Sequence, residues 1–136
     1  METIIINQDI QVFYVTAASF PDGILDAYKK LHHLLPAPQT RNYYGISRPE
    51  GGVIVYKAAV EELYRGEAQE INCPNLIIKK GKYITSTIQD YMKDLQEIGR
   101  TFQELLSHPG LDPDGYCVEW YANDKDVQCM VRILEE

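Results

Sequence analysis

Glu119 and Tyr121 lie two residues apart in the otherwise apolar run Tyr116-Cys117-Val118-Glu119-Trp120-Tyr121. Side chains two positions apart on a strand point to the same face, so this carboxylate and this phenol can act together. A carboxylate buried in such a strand costs several kcal/mol unless a partner compensates its charge. That partner is either another side chain or a molecule that the protein binds.

Two kinds of chemistry suit this pair of side chains. A carboxylate beside aromatic rings binds a flat organic cation or a hydrogen-bonding ligand. A carboxyl group in an apolar pocket can instead serve as general base or acid, while Tyr121 donates a hydrogen bond. The alternative is structural, and in it Arg132 or Lys57 forms an ion pair with Glu119, as charged side chains often do without any function.

Glu119 falls in the first strand of a predicted hairpin, because the polar break Asn123 to Asp126 separates it from a second β-rich run. A short Asn/Asp break between two such runs is typical of a hairpin. If the turn centres on Asp124 and Lys125, Trp120 lies opposite Cys129.

This register assigns a face to each side chain of the hairpin. The helix-facing side is expected to hold Val118 and Trp120 with Val127, Cys129, Val131 and Ile133. The other side is expected to hold Cys117, Glu119 and Tyr121 with Gln128, Met130 and Arg132. The sequence therefore predicts that Glu119 faces away from the helices, and that Cys117 and Cys129 lie on opposite sides as free thiols.

Composition narrows the class of protein. The chain has 136 residues, enough for one domain with a hydrophobic core, and a net charge of −7. An acidic chain without clustered Lys and Arg is not expected to bind nucleic acid through phosphates. No apolar run approaches the roughly 20 residues that span a bilayer, and the first residues lack the features of a secretory signal. With three cysteines expected to be reduced, we predict a cytoplasmic protein.

Helices are predicted over about Asp22 to Leu35, where Pro36 ends the pattern, and over about Gln89 to Ser107. Their apolar stripes contain Ile24, Tyr28, Leu31 and Leu35 in the first, and Leu95, Ile98, Phe102, Leu105 and Leu106 in the second. The predicted strands are Gln11 to Ala17, Arg41 to Arg48, Val53 to Glu61, Leu76 to Thr87, Tyr116 to Ala122 and Val127 to Leu134. The order β-α-β-β thus occurs twice within one domain of residues 1–136, in pseudo-repeats of about 9–64 and 75–134.

Aligning the two repeats places Tyr44 and Ile46 on Cys117 and Glu119. We therefore expect Tyr44 and Ile46 on the face away from the helix as well, together with Lys57. Two half-sheets with such faces are expected to line a cleft, in which aromatic walls and a few polar groups bind a small molecule.

The hairpin Arg41-Asn42-Tyr43-Tyr44-Gly45-Ile46-Ser47-Arg48-Pro49, followed by Val53-Ile54-Val55-Tyr56-Lys57-Ala58, resembles the "R..yGi … i.Y.a" pattern of GyrI-like domains. These are also called AraC-type effector-binding domains. The run Tyr116 to Tyr121 is similar to the "E.Y" segment of that family, and the resemblance extends from about Asp9 to Leu134. It implies an α+β fold of two SH2-like βαββ modules with pseudo-twofold symmetry, antiparallel sheets, two helices and a central cleft.

The resemblance also implies a role for individual residues. Drug-sensing members of the family take up lipophilic cations at a pocket Glu surrounded by aromatic side chains, and the matching position here is Glu119. The predicted ligand-binding residues are Glu119, Tyr121, Tyr44, Cys117, Met130, Ile46, Tyr14 and Tyr83. No metal or cofactor is expected; the adjacent His32 and His33 lie about 100° apart on a helix and cannot bind one ion together.

The expected function is a stand-alone domain that binds a small aromatic or cationic organic molecule, anchored by Glu119, in transcription-related sensing or sequestration; whether it also catalyses a reaction stays open. Two alternatives come from stand-alone relatives in the family. Some hydrolyse reactive cyclopropane-bearing compounds with a pocket Glu and Tyr, and Glu119 and Tyr121 would then be catalytic. Others inhibit gyrase by protein contact, which would imply a protein partner or a homodimer here.

Overall fold

The computed structural model describes residues 1–35 and 41–134, and its fold class is α+β with antiparallel strands, as predicted. The chain forms two compact units. The central unit is the middle of the chain, Ile10–Ile78, and the terminal unit combines Met1–Asp9 with Lys79–Glu136. None of the helices in the described ranges is long and apolar enough to cross a membrane.

Eight strands and three α-helices make up the two units within the described residues. The strands are β1 (Glu2–Ile6), β2 (Ile10–Thr16), β3 (Tyr43–Glu50), β4 (Val53–Glu61), β5 (Asn75–Ile78), β6 (Gly81–Ile88), β7 (Cys117–Tyr121) and β8 (Val127–Ile133). The helices are α1 (Ile24–Leu34), α2 (Glu67–Ile71) and α3 (Gln96–Leu105), and a 3-10 turn covers Tyr91–Lys93.

In the central unit the strand order is β3-β4-β2-β5, and every neighbouring pair is antiparallel. Helix α1 packs on β2 and β4, where Phe13, Leu31 and Val60 are fully buried. Ala58 stands beneath the helix, and its small side chain lets the helix approach the sheet closely. This apolar burial is the main stabilising contribution within the unit.

In the terminal unit the strand order is β7-β8-β6-β1, again antiparallel throughout. Helix α3 packs on β6 and β8, with Phe102 and Leu105 against Cys129 and Val131. In the central unit β2, which precedes α1, pairs with β4, and β4 pairs with β3. In the terminal unit β6, which precedes α3, pairs with β8, and β8 pairs with β7. The SH2-like, pseudo-twofold arrangement of two modules stays a prediction.

Strands were predicted more accurately than helices. β2, β3, β4, β7 and β8 lie within about two residues of the predicted ranges. The predicted strand Leu76 to Thr87 is two strands, β5 and β6, because the chain turns at Lys79 and Lys80 before Gly81, whose φ is 141°. Strand β1 and the short helix α2, which lies in the predicted linker, were not expected.

Both helix predictions were too long. Helix α1 begins at Ile24, and Pro36, which was expected to end it, lies outside the described residues. Helix α3 begins at Gln96 and not near Gln89, because Asp90 adopts a left-handed conformation with φ of 56° and starts the 3-10 turn. Leu95 and Leu106 of the predicted apolar stripe are consequently exposed.

A buried ion pair stabilises the central unit and was not anticipated from the sequence. The Arg41 guanidinium donates two hydrogen bonds to the Glu67 carboxylate, at 3.0 and 2.6 Å, and both side chains are almost inaccessible to solvent. The backbone N–H of Leu63 donates a third bond to Glu67. The hydrogen bond from Arg41 is the main reason why the pKa of Glu67 lies below its usual value.

Replacing Glu67 with Gln is expected to lower the free energy of unfolding by about 3 kcal/mol, because it leaves the Arg41 charge buried and unpaired. Chemical denaturation at pH 7 measures this loss. Glu70→Gln, on the exposed side of the same helix, should change stability by less than about 0.5 kcal/mol.

The Arg41–Glu67 pair also makes the free energy of unfolding decrease at acidic pH. Because the pKa of Glu67 is lowered in the folded protein, its stabilisation is complete above the ordinary carboxyl value and is lost as pH falls below it. The stability difference between wild type and Glu67→Gln should therefore shrink below about pH 4. A difference that stays constant down to pH 3 would contradict this role for Glu67.

Candidate functional site

Glu119 lies on the helix-facing side of the terminal unit, and the predicted face is wrong. In the β7–β8 pairing, Glu119 stands directly opposite Cys129, and Cys117 stands opposite Val131. Cys129 and Val131 belong to the core beneath α3, and Cys117 and Tyr121 pack against that core. Directly opposed residues share a face, so Glu119, Cys117 and Tyr121 all face α3.

The loop between β7 and β8 explains the error. The strands end at Tyr121 and begin again at Val127, which leaves the five residues 122–126 in the loop. The Asn123 side-chain oxygen accepts hydrogen bonds from the backbone N–H groups of Lys125 and Asp126, at 2.8 and 2.9 Å. This Asn-based turn adds one residue to the loop, and a shift of one residue moves every side chain of a strand to the other face.

Glu119 is a buried residue, only 7% exposed, and two tyrosines lie near it. The Tyr121 hydroxyl donates a hydrogen bond to Glu119 Oε1. The Tyr91 ring meets the Tyr121 ring edge to face, with 5.3 Å between centroids and 62° between planes. The turn that carries Tyr91 is attached through its backbone N–H, which donates to the Lys125 carbonyl at 2.9 Å. We call Glu119, Tyr121, Tyr91, Cys117 and Cys129 the Glu119 cluster.

The thiols and the Tyr91 phenol of the Glu119 cluster remain neutral at physiological pH. Burial, reinforced by the nearby Glu119 charge, raises the pKa of Cys117 to about 11 and that of Cys129 to about 12. Burial also raises the pKa of Tyr91. Neither cysteine is therefore an activated nucleophile, since the thiolate is the reactive form. All three cysteines are free thiols, as predicted, although Cys117 and Cys129 share a face.

Met130 and Tyr83 lie on the other face of the terminal unit and do not join the Glu119 cluster. Met130 pairs with Val118 and Thr85, and it is 2% exposed. The Tyr83 hydroxyl donates to the Lys79 carbonyl at 2.6 Å, and burial raises the pKa of this phenol to about 12. Both side chains have the character of core residues.

Tyr44, Ile46 and Tyr14 lie in the central unit, on the face away from α1. This face was predicted for Tyr44 and Ile46, which pair with Ala59 and Lys57 of β4. Tyr14 also pairs with Ala59. Because Cys117 and Glu119 face a helix, the predicted equivalence of Tyr44 and Ile46 with those two positions is wrong.

The structure excludes one of the two predicted ion-pair partners of Glu119, Arg132, and leaves the other, Lys57, untested. Arg132 pairs with Asp112 at 2.8 Å, donates to the Lys80 carbonyl at 3.0 Å, and lies on the opposite face from Glu119. The Arg132 alternative is therefore wrong. Within the central unit, the Lys57 ammonium group lies 3.5 Å from the Glu50 carboxylate and 5.3 Å from the centre of the Tyr14 ring. The Lys57 alternative stays a prediction.

Two features that bear on function were not identified from the sequence, namely Tyr91 and a groove beside α1. Tyr91 carries no recognisable signal, because it falls in a segment predicted as helix. The second feature is an open groove of about 590 Å³ beside α1, lined by Val15, Asp26, Lys29, Lys30, His33 and Leu34. The helical spacing of its α1 residues was present in the sequence, but only the opposite, apolar stripe was interpreted. Within the described residues, no group of three His, Cys, Asp or Glu side chains could hold a metal ion.

Comparison with known proteins identifies similar folds but no family. No protein-family model matches the chain, and no curated protein matches it. An integron cassette protein from the mobile metagenome of Vibrio cholerae has a similar structure, with a TM-score of 0.71, 13% sequence identity, and coverage of 98% of this chain and 95% of that one. A hydrolase from Listeria innocua has a TM-score of 0.57 and 8% identity, covering 98% and 90%. At such low identity these similarities concern the fold alone.

The proximity of Glu119 to Cys117 predicts an effect on thiol reactivity. Glu119→Gln removes a negative charge that raises the pKa of Cys117, so more thiolate should form and alkylation should be faster. At pH 8.5 we expect iodoacetamide to modify Cys117 about three to ten times faster in this variant. Peptide mass mapping measures the rate, with Cys73 as internal reference.

Glu104→Gln is the matched control, since Glu104 is an exposed carboxylate on α3. Circular dichroism should show that both variants remain folded. An unchanged Cys117 rate in folded Glu119→Gln would indicate that the two side chains do not share a face.

Proposed function

We propose that this chain is a small-molecule-binding domain in which Glu119 anchors an organic cation and the Tyr121 and Tyr91 rings contact it. One observation carries the proposal: a buried carboxyl group, held by the Tyr121 hydroxyl, lies beside an angled pair of aromatic rings. The hydrogen bond and the ring contact fix the direction of the carboxylate before any ligand arrives. Preorganisation of this kind lowers the entropy cost of binding.

The charge balance of the Glu119 cluster favours a cationic ligand. The thiols of Cys117 and Cys129 stay protonated because their pKa values are raised, so negative charge in the cluster is concentrated on one carboxylate. Aromatic rings attract a cation through their faces and reinforce that preference. A hydrogen bond to a charged group contributes about 1.5–3 kcal/mol, which corresponds to about a 10–100-fold gain in affinity.

The proposed binding domain keeps the GyrI-like frame of SH2-like modules and a cytoplasmic role in transcription-related sensing or sequestration, but its ligand site lies on the α3 side of β7 and not in a central cleft. The hairpin patterns that resemble this family support that frame. A protein partner or a homodimer stays a prediction. In the proposed site Glu119 faces α3, which the sequence did not predict. Because Met130 and Tyr83 lie on the opposite face of the sheet, they are not among the proposed ligand-binding residues.

Titration with a matched pair of ligands tests the proposal. N-methylacridinium is a permanent planar cation, and acridine at pH 8 is its neutral counterpart. We expect the cation to bind more tightly than acridine to wild type, and Glu119→Gln to weaken cation binding about 10–100-fold. Fluorescence anisotropy measures both affinities.

Glu104→Gln serves as the control, because it removes the same charge from an exposed position on α3. Tyr121→Phe should weaken cation binding less than Glu119→Gln does, since it retains the ring. Equal affinity of wild type and folded Glu119→Gln for the cation would rule out Glu119 as the anchor.

A second candidate function is hydrolysis of electrophilic small molecules, and the Tyr121–Glu119 hydrogen bond favours it specifically. Glu119 would accept a proton from water while the water oxygen bonds to the electrophilic carbon and the bond from that carbon to its leaving oxygen or carbon breaks. The protonated Glu119 would then return this proton to the leaving atom, which restores the carboxylate. Tyr121 would orient the carboxylate. The chain also shares its fold with a protein described as a hydrolase.

Turnover of styrene oxide to its diol, followed by liquid chromatography, tests this alternative. If the chain is a hydrolase, Glu119→Gln should reduce the rate by at least about 100-fold, and Glu104→Gln should leave it unchanged. Diol formation at the same rate in Glu119→Gln and wild type would contradict the assignment of Glu119 as base.

A further inference from the structure

We propose that the groove beside α1 is a second binding site, for a small organic anion that combines a phosphate, sulfate or carboxylate group with an apolar portion. The α1 groove has a volume of about 590 Å³ and is lined by Val15, Asp26, Lys29, Lys30, His33 and Leu34. Because the groove is open to solvent, a ligand would lie along the side of α1 and keep part of its surface exposed. These six described residues all belong to the central unit.

The spacing of the lining residues explains how the groove forms. Asp26, Lys29, Lys30, His33 and Leu34 follow one another at steps of three, one, three and one, which places them along one face of α1. The opposite face carries Ala27 and Leu31 into the core. Val15 of β2 packs at the edge of that core and supplies an apolar surface beside the helix.

Many basic side chains outside the α1 groove have a carboxylate partner. Of the eleven other Lys and Arg residues, at least six form an ion pair, namely Arg41, Arg48, Lys57, Lys93, Arg100 and Arg132. Within the described ranges, Lys29, Lys30 and His33 form neither an ion pair nor a side-chain hydrogen bond, although the chain has a net charge of −7.

Three donor side chains that line one groove, and that have no ion-pair or side-chain hydrogen-bond partner among the described residues, favour an anionic ligand. Like charges along one groove attract an oppositely charged ligand together. Asp26 is the one carboxylate among the described lining residues, so the two lysines leave this part of the groove with positive charge.

The environment of the two histidines supports the same assignment. The His32 ring stacks on Tyr43, with 5.2 Å between centroids and 6° between planes. Its neighbour His33 points to the groove instead, where its ring nitrogens can hydrogen-bond to an anionic oxygen. Val15 and the 41% exposed Leu34 offer an apolar surface, so the ligand should carry an apolar part beside its anionic group.

The α1 groove and the Glu119 cluster have opposite ligand preferences. A groove with two lysines and one aspartate attracts anions, whereas a buried carboxylate attracts cations. The proposal for the α1 groove is therefore independent of the proposed function, and either can fail without the other.

Calorimetric titration with 1-naphthyl phosphate and 1-naphthol at low ionic strength tests the proposal. The two compounds share the ring system and differ in the anionic group. We expect 1-naphthyl phosphate to bind, 1-naphthol to bind at least about tenfold more weakly, and the phosphate affinity to fall as salt is added. In heteronuclear NMR spectra, the phosphate should perturb amide signals of α1 and of Val15.

Charge-matched variants locate the site. Lys29→Gln with Lys30→Gln should weaken 1-naphthyl phosphate binding about tenfold or more. Lys79→Gln with Lys125→Gln removes the same charge from exposed positions of the terminal unit and should have little effect. Equal losses in both double variants would show only a general effect of net charge and would overturn the proposal.

Three other outcomes would also overturn it: no binding of 1-naphthyl phosphate at millimolar concentration, equal binding of 1-naphthol, or amide perturbations confined to the terminal unit. Binding of poly-glutamate in place of 1-naphthyl phosphate would assign the groove to an acidic macromolecule and reject a small-molecule site. The Glu119→Gln variant should bind 1-naphthyl phosphate like wild type.

Discussion

The loop between β7 and β8 sets the register on which the whole Glu119 cluster depends. Its five residues, 122–126, are organised by the Asn123 side chain, which accepts two backbone hydrogen bonds. With this register, Glu119 pairs with Cys129 and faces α3. One residue fewer in the loop would move the carboxylate to the opposite face, away from Tyr91 and from the core beneath the helix.

The two hairpin turns differ in how directly the sequence indicates them. The β3–β4 turn consists of Gly51 and Gly52, both with positive φ, which is the backbone conformation of a two-residue hairpin turn. Adjacent glycines are typical of such a turn. The faces of Tyr44 and Ile46 were predicted instead from the repeat alignment with Cys117 and Glu119, so they are correct although that alignment is wrong. In the β7–β8 loop the extra residue depends on a side-chain hydrogen bond of Asn123, which composition does not reveal.

Other features were beyond the sequence because they depend on tertiary contacts. Apolar periodicity identified the cores around Leu31 and Phe102, since burial of such stripes is general. It could not indicate that Asp90 would end one element and start the turn that brings Tyr91 to Tyr121. The Arg41–Glu67 pair joins residues 26 positions apart, and polar residues in a predicted linker gave no reason to pair them.

A crystal structure of the protein with N-methylacridinium would test the central claim most directly. Because β7 separates its two faces, the position of the ligand distinguishes the possibilities without reference to affinity. We expect the ligand nitrogen to lie within ion-pair distance of the Glu119 carboxylate, on the α3 side of β7 and beside the Tyr91 and Tyr121 rings. A ligand bound on the opposite side of β7, next to Val118 and Met130, would contradict it.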